Sequence, residues 1–273
     1  MTLRRPVLRS DTRAVSETLG YILVFSVIVM TISMATVFGI GGLEDRQATE
    51  QVTNVERAFD VLADNFADIS RHDDPSRATE IRLAGGTIRV AEPVTITVGK
   101  WNPTNETFVD GATQSVTLQP LEFQSEGGSV VYESGVVFRA DRAGSVARSP
   151  LPFVVGDDTA VVPVVATAGS SSTAVDGDRT VQVVGERRSP SQPLENRTIR
   201  LDDPESEQLL AMQIDSPRAD GWAQQLEDDG YRNVSYNEST EQVFAELAVE
   251  TDGEIRRPET VRLPVTNIRL RFA

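Results

Sequence analysis

The chain has 273 residues, 39% of them hydrophobic, with 19 glycines and 14 prolines, so it holds enough apolar surface for one large folded domain or one to two of average size. Its 41 acidic residues outweigh 26 basic ones, and the formal charge of −15 repels a phosphate backbone and excludes nucleic acid as a partner. With no cysteine and a single histidine, His72, the chain has no means of building disulfides, thiolate nucleophiles, iron–sulfur clusters, thiolate zinc sites or a two-histidine metal motif.

The first element is a basic leader, residues 1–14, carrying Arg4, Arg5, Arg9 and Arg13. From Thr18 to Leu43 there follow 26 consecutive residues without a charge, among them Leu19, Ile22, Phe25, Ile28, Ile32 and Phe38. As a helix this run is roughly 39 Å long at about 1.5 Å per residue, sufficient to cross a hydrocarbon core of roughly 30 Å. A buried core helix of such length rarely lacks a polar face, so residues 15–43 are expected to form a transmembrane helix with membrane lipid as partner. The arginines before the run and Glu44 and Asp45 after it place the N-terminus in the cytoplasm and the bulk of the chain outside. Residues 1–43 hold four basic and two acidic residues, so residues 44–273 carry −17.

A secretory signal cut near Gly39, Gly41 or Gly42 is the other reading of such a run, although the run is long for one. Directly before it stands Arg13-Ala14-Val15-Ser16-Glu17-Thr18-Leu19-Gly20. This segment resembles the class III signal of archaeal type IV pilins and archaellins, in which a membrane peptidase cuts after a basic–small pair and leaves the apolar helix on the mature protein. The resemblance covers the leader and the span. It implies Arg13 and Ala14 as the last leader residues, Val15 as the new N-terminus, Ser16 and Gly20 as further matches, and a prepilin-type signal peptidase as partner. Where many haloarchaeal pilins have proline, this chain has Glu17. Cleavage would create an amine on Val15, and the Glu17 carboxylate two residues on would offset that charge within one subunit or pair with a neighbour's amine in an assembly. An interfacial side chain at the end of a span is the alternative role.

Val52, Val55, Phe59, Leu62, Phe66 and Ile69 recur at 3-4-3-4-3 spacing, which predicts an amphipathic helical extension over residues 44–71 with Glu56, Arg57, Asp60, Asp64 and Asp68 on the wet side. The stripe packs either on its own domain, the more frequent outcome, or against other subunits. Asp73-Asp74-Pro75 ends the helix, and His72 reads as a solvated cation at its C-terminus.

Residues 72–273 read as an acidic, β-rich extracellular domain. Glu80–Val90 predicts a hairpin across Gly85-Gly86, and Val94, Ile96 and Val98 continue in alternation. Further strands are expected at 116–123, 129–138, 160–165, 180–184, 198–201, 209–214, 242–249, 261–265 and 268–272, with Gly127-Gly128 as a turn and Gly169–Gly177 as a small polar loop. Ser216 as N-cap, Pro217 at the first helical position and Gly230 as a stop predict a helix over 217–229, turning Trp222 and Leu226 toward the sheet. The expected fold class is therefore α+β, a long N-terminal helix followed by a mostly antiparallel sandwich or barrel-like domain with one short helix.

Four sequons begin at Asn105, Asn196, Asn233 and Asn237, all on the side expected to be external, where glycosylation of at least one is expected. The acidic pairs Asp73-Asp74, Asp157-Asp158, Asp176-Gly177-Asp178, Asp202-Asp203 and Asp228-Asp229 lack the spacing of a calcium loop and read as solvated surface. No G-x-S-x-G elbow accompanies His72, and nothing assigns a catalytic residue, metal or cofactor. Trp101 and Trp222 are each either sugar-stacking or core residues, the latter being commoner.

The basic residues are 25 arginines and one lysine, Lys100, a composition similar to that of proteins from extremely halophilic archaea. Concentrated salt screens the repulsion within so acidic a domain. Dialysis into low salt is therefore expected to lower its melting temperature and weaken its circular dichroism, and an unchanged melt contradicts that expectation.

These features point to a non-enzymatic, pilin-like protein of the cell membrane with its bulk outside, acting in surface structure or adhesion, a minor pilus subunit being one form of that role. Other pilin-like subunits would then be partners, packing laterally through residues 18–43. It also looks like haloarchaeal membrane-anchored proteins of unassigned function. The alternatives are an uncleaved single-pass binding protein and a tethered carbohydrate-active enzyme.

Overall fold

The computed structural model describes residues 12–169, 174–188, 197–201, 207–251 and 253–273. Its class is α+β, with two α-helices and 20 strands among the described residues. Helix α1 runs Thr12–His72, and the chain divides into two compact units, one ending at Ala48 and one spanning Thr49–Ala273. In the first unit the stretch Thr18–Thr36 has a mean hydropathy of 2.1 and is 0% buried. The leader arginines Arg4, Arg5 and Arg9 lie outside the described residues.

The second unit holds the outer part of α1, a short helix α2 (Ala219–Asp228) and four sheets. One sheet has the order β1 (Ser76–Arg82), β13 (Thr180–Arg188), β20 (Val265–Phe272) and β11 (Val164–Gly169). A second runs β12 (Ala174–Asp176), β2 (Thr87–Val90), β5 (Leu121–Ser125), β6 (Gly128–Glu133), β7 (Val136–Asp141) and β8 (Gly144–Ala147). A third runs β16 (Tyr231–Asn237), β17 (Gln242–Thr251), β15 (Leu209–Asp215), β3 (Val94–Asn102) and β4 (Thr107–Leu118), with β18 (Glu254–Arg256) on the end of β17. The fourth is small: β14 (Thr198–Arg200), β19 (Thr260–Arg262), β10 (Thr159–Val161) and β9 (Val154–Val155). Pairing is antiparallel except for β10 with β19 and β11 with β20.

Two cores result, and the second sheet separates them. Val130 and Tyr132 on β6 and Val137 on β7 face the core that buries the α1 stripe, together with Ile81, Leu83, Val181, Val183, Ile268 and Leu270. The alternate residues Val131, Val136 and Phe138 face the other core, with Trp222, Leu226, Met212 and Ile96. Being buried on both faces explains why β6 and β7 read as continuous apolar runs instead of alternating.

All six stripe residues from Val52 to Ile69 are at most 2% exposed, so the stripe packs on its own β domain. Phe66 meets Tyr132 edge to face at 5.2 Å. Of the side chains expected on the wet side, Glu56 is in fact only 12% exposed, held by Arg148 at 2.7 Å and Arg139 at 3.7 Å, whereas Asp60 is exposed and its carboxyl is raised from its ordinary value, chiefly by partial desolvation and then by the neighbouring Glu56 and Asp64 charges. The helix stops at His72, as Asp73-Asp74-Pro75 predicts, and Asp73 takes a left-handed φ of 61°. His72 is exposed, with Nδ1 3.3 Å from Asp68 one turn back, as expected of a solvated residue.

Several local expectations need correction. Residues 80–90 are not a hairpin: β1 pairs with β13 while β2 pairs with β5 and β12, because Ile81 and Ile88 enter one core from two different sheets. The expected strand 116–123 is broken at Gln119-Pro120, where proline has no N–H to donate, and 160–165 breaks at Pro163 for the same reason. Residues 129–138 are two strands joined by Ser134 (φ 49°) and Gly135 (φ 93°), a two-residue turn with both residues left-handed. The hairpin expected around Gly127-Gly128 forms, with Glu126 and Gly127 as its turn and Gly128 opening β6, and the strand at 209–214 stands as expected. Part of the loop expected at 169–177 is strand β12, and Ser170, Ser171 and Ser172 lie outside the described residues. Helix α2 begins at Ala219, two residues late, because the Ser216 hydroxyl accepts the N–H of Arg218 at 3.0 Å instead of capping a longer helix.

Candidate functional site

The apolar stretch of the first unit places bulky side chains all round the helix: Leu19, Tyr21, Leu23, Phe25, Met30 and Ile32 are all exposed. The hydroxyls of Thr31 and Thr36 donate to the carbonyls of Val27 and Ile32, each at 2.8 Å. A helix apolar on every side, with these two hydroxyls bonded to its own backbone, suits hydrocarbon. Its length and composition are compatible with a single-pass anchor or with a signal sequence. Arg13, Ala14, Val15 and Glu17 lie in the first turns of α1, and their side chains lie outside the described residues.

The three sequon asparagines among the described residues fall on or beside the third sheet. Asn105 is exposed in the turn between β3 and β4, where the Asn102 carboxamide oxygen accepts the N–H of Thr104 at 2.9 Å. Asn233 and Asn237 are exposed on β16. Asn237 accepts from both the N–H and the hydroxyl of Ser239 at 3.1 and 2.7 Å, so its own sequon closes a turn. Asn196 lies outside the described residues.

The two tryptophans separate cleanly. Trp222 is 0% exposed, stacked on Phe153 with ring centroids 5.8 Å apart, and is a core residue. Trp101 is half-buried on the outer face of the third sheet, 4.4 Å from Phe244 and 5.1 Å from Phe108 between ring centroids. A groove there is lined by Trp101, Pro103, Gln213, Asn233, Ser235 and Phe244 among others. Phe108 and Phe244 were not singled out from the sequence, though a signal existed. Gln242, Phe244 and Glu246 alternate with Val243, Ala245 and Leu247, which puts one aromatic on the polar side of a strand.

A second polar cluster is wholly internal. Glu133, 0% exposed at the end of β6, accepts from Arg218 Nε and Nη2 at 3.0 and 2.7 Å, from the Ser216 hydroxyl at 3.0 Å and from Trp222 Nε1 at 2.8 Å. Every partner comes from α2 or the segment leading into it, so the cluster pins that helix to the second sheet. Beside it, Asp220 accepts the N–H of Ser145 at 2.7 Å and is also bonded to the Ser145 hydroxyl. Burial pushes the Tyr132 phenol well above its ordinary value, and the Tyr231 phenol likewise, with the Asp229 charge adding to it.

Among the described residues no three His, Asp or Glu side chains converge as metal ligands. Asp73 and Asp74 are engaged by Arg187 and Arg77, Asp157 by Arg256 at 3.4 Å and Asp178 by Arg82 at 3.5 Å. Asp202 and Asp203 lie outside the described residues.

The fold and these sites define a β-rich domain preceded by a helix long and apolar enough to cross a membrane. The chain belongs to a family described as "Family of unknown function (DUF7289)", whose model matches residues 13–271. The match thus takes in the basic–small pair, the apolar stretch and the four sheets together. No curated protein and no solved structure matches the chain.

Proposed function

We propose that this chain is a pilin-like protein of the archaeal cell surface, inserted through its N-terminal helix, processed between Ala14 and Val15, and displaying an acidic, glycosylated β domain outside the membrane. The observation that carries the reading is the abutment of Arg13-Ala14-Val15-Ser16-Glu17 on an apolar stretch that stays exposed all round from Thr18 to Thr36. Removal of the leader leaves that stretch on the mature protein. Its apolar side chains are then buried by lipid before assembly and by the matching helices of neighbouring subunits afterwards. Glu17 stands two residues from the new amine of Val15 in the sequence, and its carboxylate would offset that charge within one subunit or pair with a neighbour's amine. The role is structural or adhesive, and the domain needs no catalytic group to perform it.

The aromatic groove favours a second reading, an uncleaved single-pass protein whose outer domain binds a ligand. N-terminal peptide mapping separates the two. The protein from its own host is expected in the membrane or sheared-filament fraction with Val15 at its N-terminus, and Arg13→Ala is expected to retain the leader while staying membrane-bound. An N-terminus upstream of Val15 in the unsubstituted protein, unchanged by Arg13→Ala, supports the uncleaved reading.

A further inference from the structure

We propose that the aromatic groove on the outer face of the third sheet is the seat of an N-linked oligosaccharide carried by Asn233 of the same chain. The inference rests on the external placement of the β domain proposed above.

The groove is formed by register. Leu210, Met212 and Ile214 of β15 face the core, so Ala211 and Gln213 face outward. Gln213 is opposite Phe244 of β17 and Thr97 of β3, and Ala211 is opposite Gly99. Trp101 on β3 and Phe244 on β17 are separated by β15, a distance of about 9.5 Å between strand axes. Their ring centroids are nevertheless 4.4 Å apart. The two rings therefore lean toward one another across β15, over the smallest pair on that face, and Ala211 beneath is 0% exposed. Phe108 on β4 closes the far side, 6.5 Å from Phe244. The result is a half-buried aromatic shelf bordered by the hydroxyls and amides of Thr97, Ser115, Gln213 and Ser235 and by the carboxylates of Glu106 and Glu246.

Such a surface fits a ligand with apolar C–H faces and many hydroxyls. Ring faces pack on the sugar's C–H faces, and the surrounding side chains bond its hydroxyls. Among the described residues that line the groove, Glu106 is acidic and none is basic, which disfavours an anionic ligand and favours a neutral saccharide.

The source is indicated by what else lines the groove. Asn233 and Ser235, the acceptor and the hydroxyl residue of one sequon, both face it, and Ser235 is directly opposite Phe244. Asn233 is exposed, and its Nδ2 gives one hydrogen to Glu246 Oε2 at 2.7 Å, leaving the second to be replaced. In that step Nδ2 displaces the phosphate from the anomeric carbon of a lipid-phosphate-activated oligosaccharide. The N–C bond forms as the C–O bond breaks, the lipid phosphate departs and a base takes the amide proton. From β16 the chain of sugars crosses β17 and β15 to reach Trp101 on β3, a path of about 14 Å.

The test uses full-length protein from its own host, with glycopeptide mass mapping of Asn233 and acrylamide quenching of tryptophan fluorescence. Trp222 is wholly buried, so Trp101 dominates the quenchable signal, which Trp101→Phe identifies. Asn233 is expected to carry sugar. Ser235→Ala abolishes modification while leaving the Asn233 bond to Glu246 in place, and it is expected at least to double the quenching constant of Trp101 and shift its emission to the red. Asn233→Gln is expected to do the same. Bare Asn233 in the exported protein, or sugar on Asn233 with quenching unchanged in Ser235→Ala, overturns the proposal. A rise produced only by Asn105→Gln overturns it too, because the groove then holds a different glycan. A membrane-bound protein starting at Val15 with Asn233 bare ends this inference alone, whereas a protein recovered from the cytosolic fraction ends the proposed function.

Discussion

Glu133→Ala is expected to destabilise the β domain by about 3–5 kcal/mol, the cost of removing one partner from a buried ion pair. The carboxylate is 0% exposed and serves four donors from three residues. Its removal strands the Arg218 guanidinium, itself 8% exposed, and leaves the Trp222 N–H and the Ser216 hydroxyl without their acceptor. At roughly 2–4 °C per kcal/mol for a domain of this size, the melting temperature should fall by about 6–20 °C. The loss belongs to the orphaned charge more than to the pair as such, since buried ion pairs repay their desolvation poorly. Pairing Glu133→Leu with Arg218→Met should therefore recover much of the stability lost in Glu133→Ala. Denaturant unfolding of the single and the double variant in concentrated salt checks this, and equal destabilisation by the two contradicts it.

That cluster was invisible in the sequence for a physical reason. Glu133 and Arg218 are separated by 85 positions, and among 41 acidic residues nothing marks one as buried until the sheets are assembled. What was legible had a local period. The 3-4-3-4-3 stripe announced a helix with one apolar face, and that face is the one buried. The uncharged run from Thr18 needs no partner in the chain to be recognised. Strand existence was also legible, but strand boundaries failed wherever both faces of a strand are buried. Val136, Val137 and Phe138 gave no alternation, so the turn at Ser134-Gly135 disappeared into an apolar run. Of the aromatic groove, Trp101 was visible as a residue, while its meeting with Phe244 depends on a register across three strands that composition does not encode.

The packing of the helical stripe makes a sharper test of the fold, because one aromatic and one glycine are matched in space. Phe66→Ala is expected to cost about 3–5 kcal/mol, from the lost transfer energy and the cavity left between helix and sheet. Gly185 on β13 faces the same ring: a Cβ built there would lie 2.6 Å from Phe66 Cε1. Gly185→Ala alone should then cost about 1–3 kcal/mol by overpacking. Combined, the two changes should cost less than their sum, since the space vacated by the ring receives the new methyl group, and contacting residues are where additivity fails. Unfolding of the two single variants and the double variant measures the coupling. Amide exchange along residues 52–69 should quicken most in Phe66→Ala, whose helix has lost one of its two buried phenylalanines. Strict additivity, with exchange unchanged along that stripe, would mean that the helix is held to the sheets by something other than this interlock.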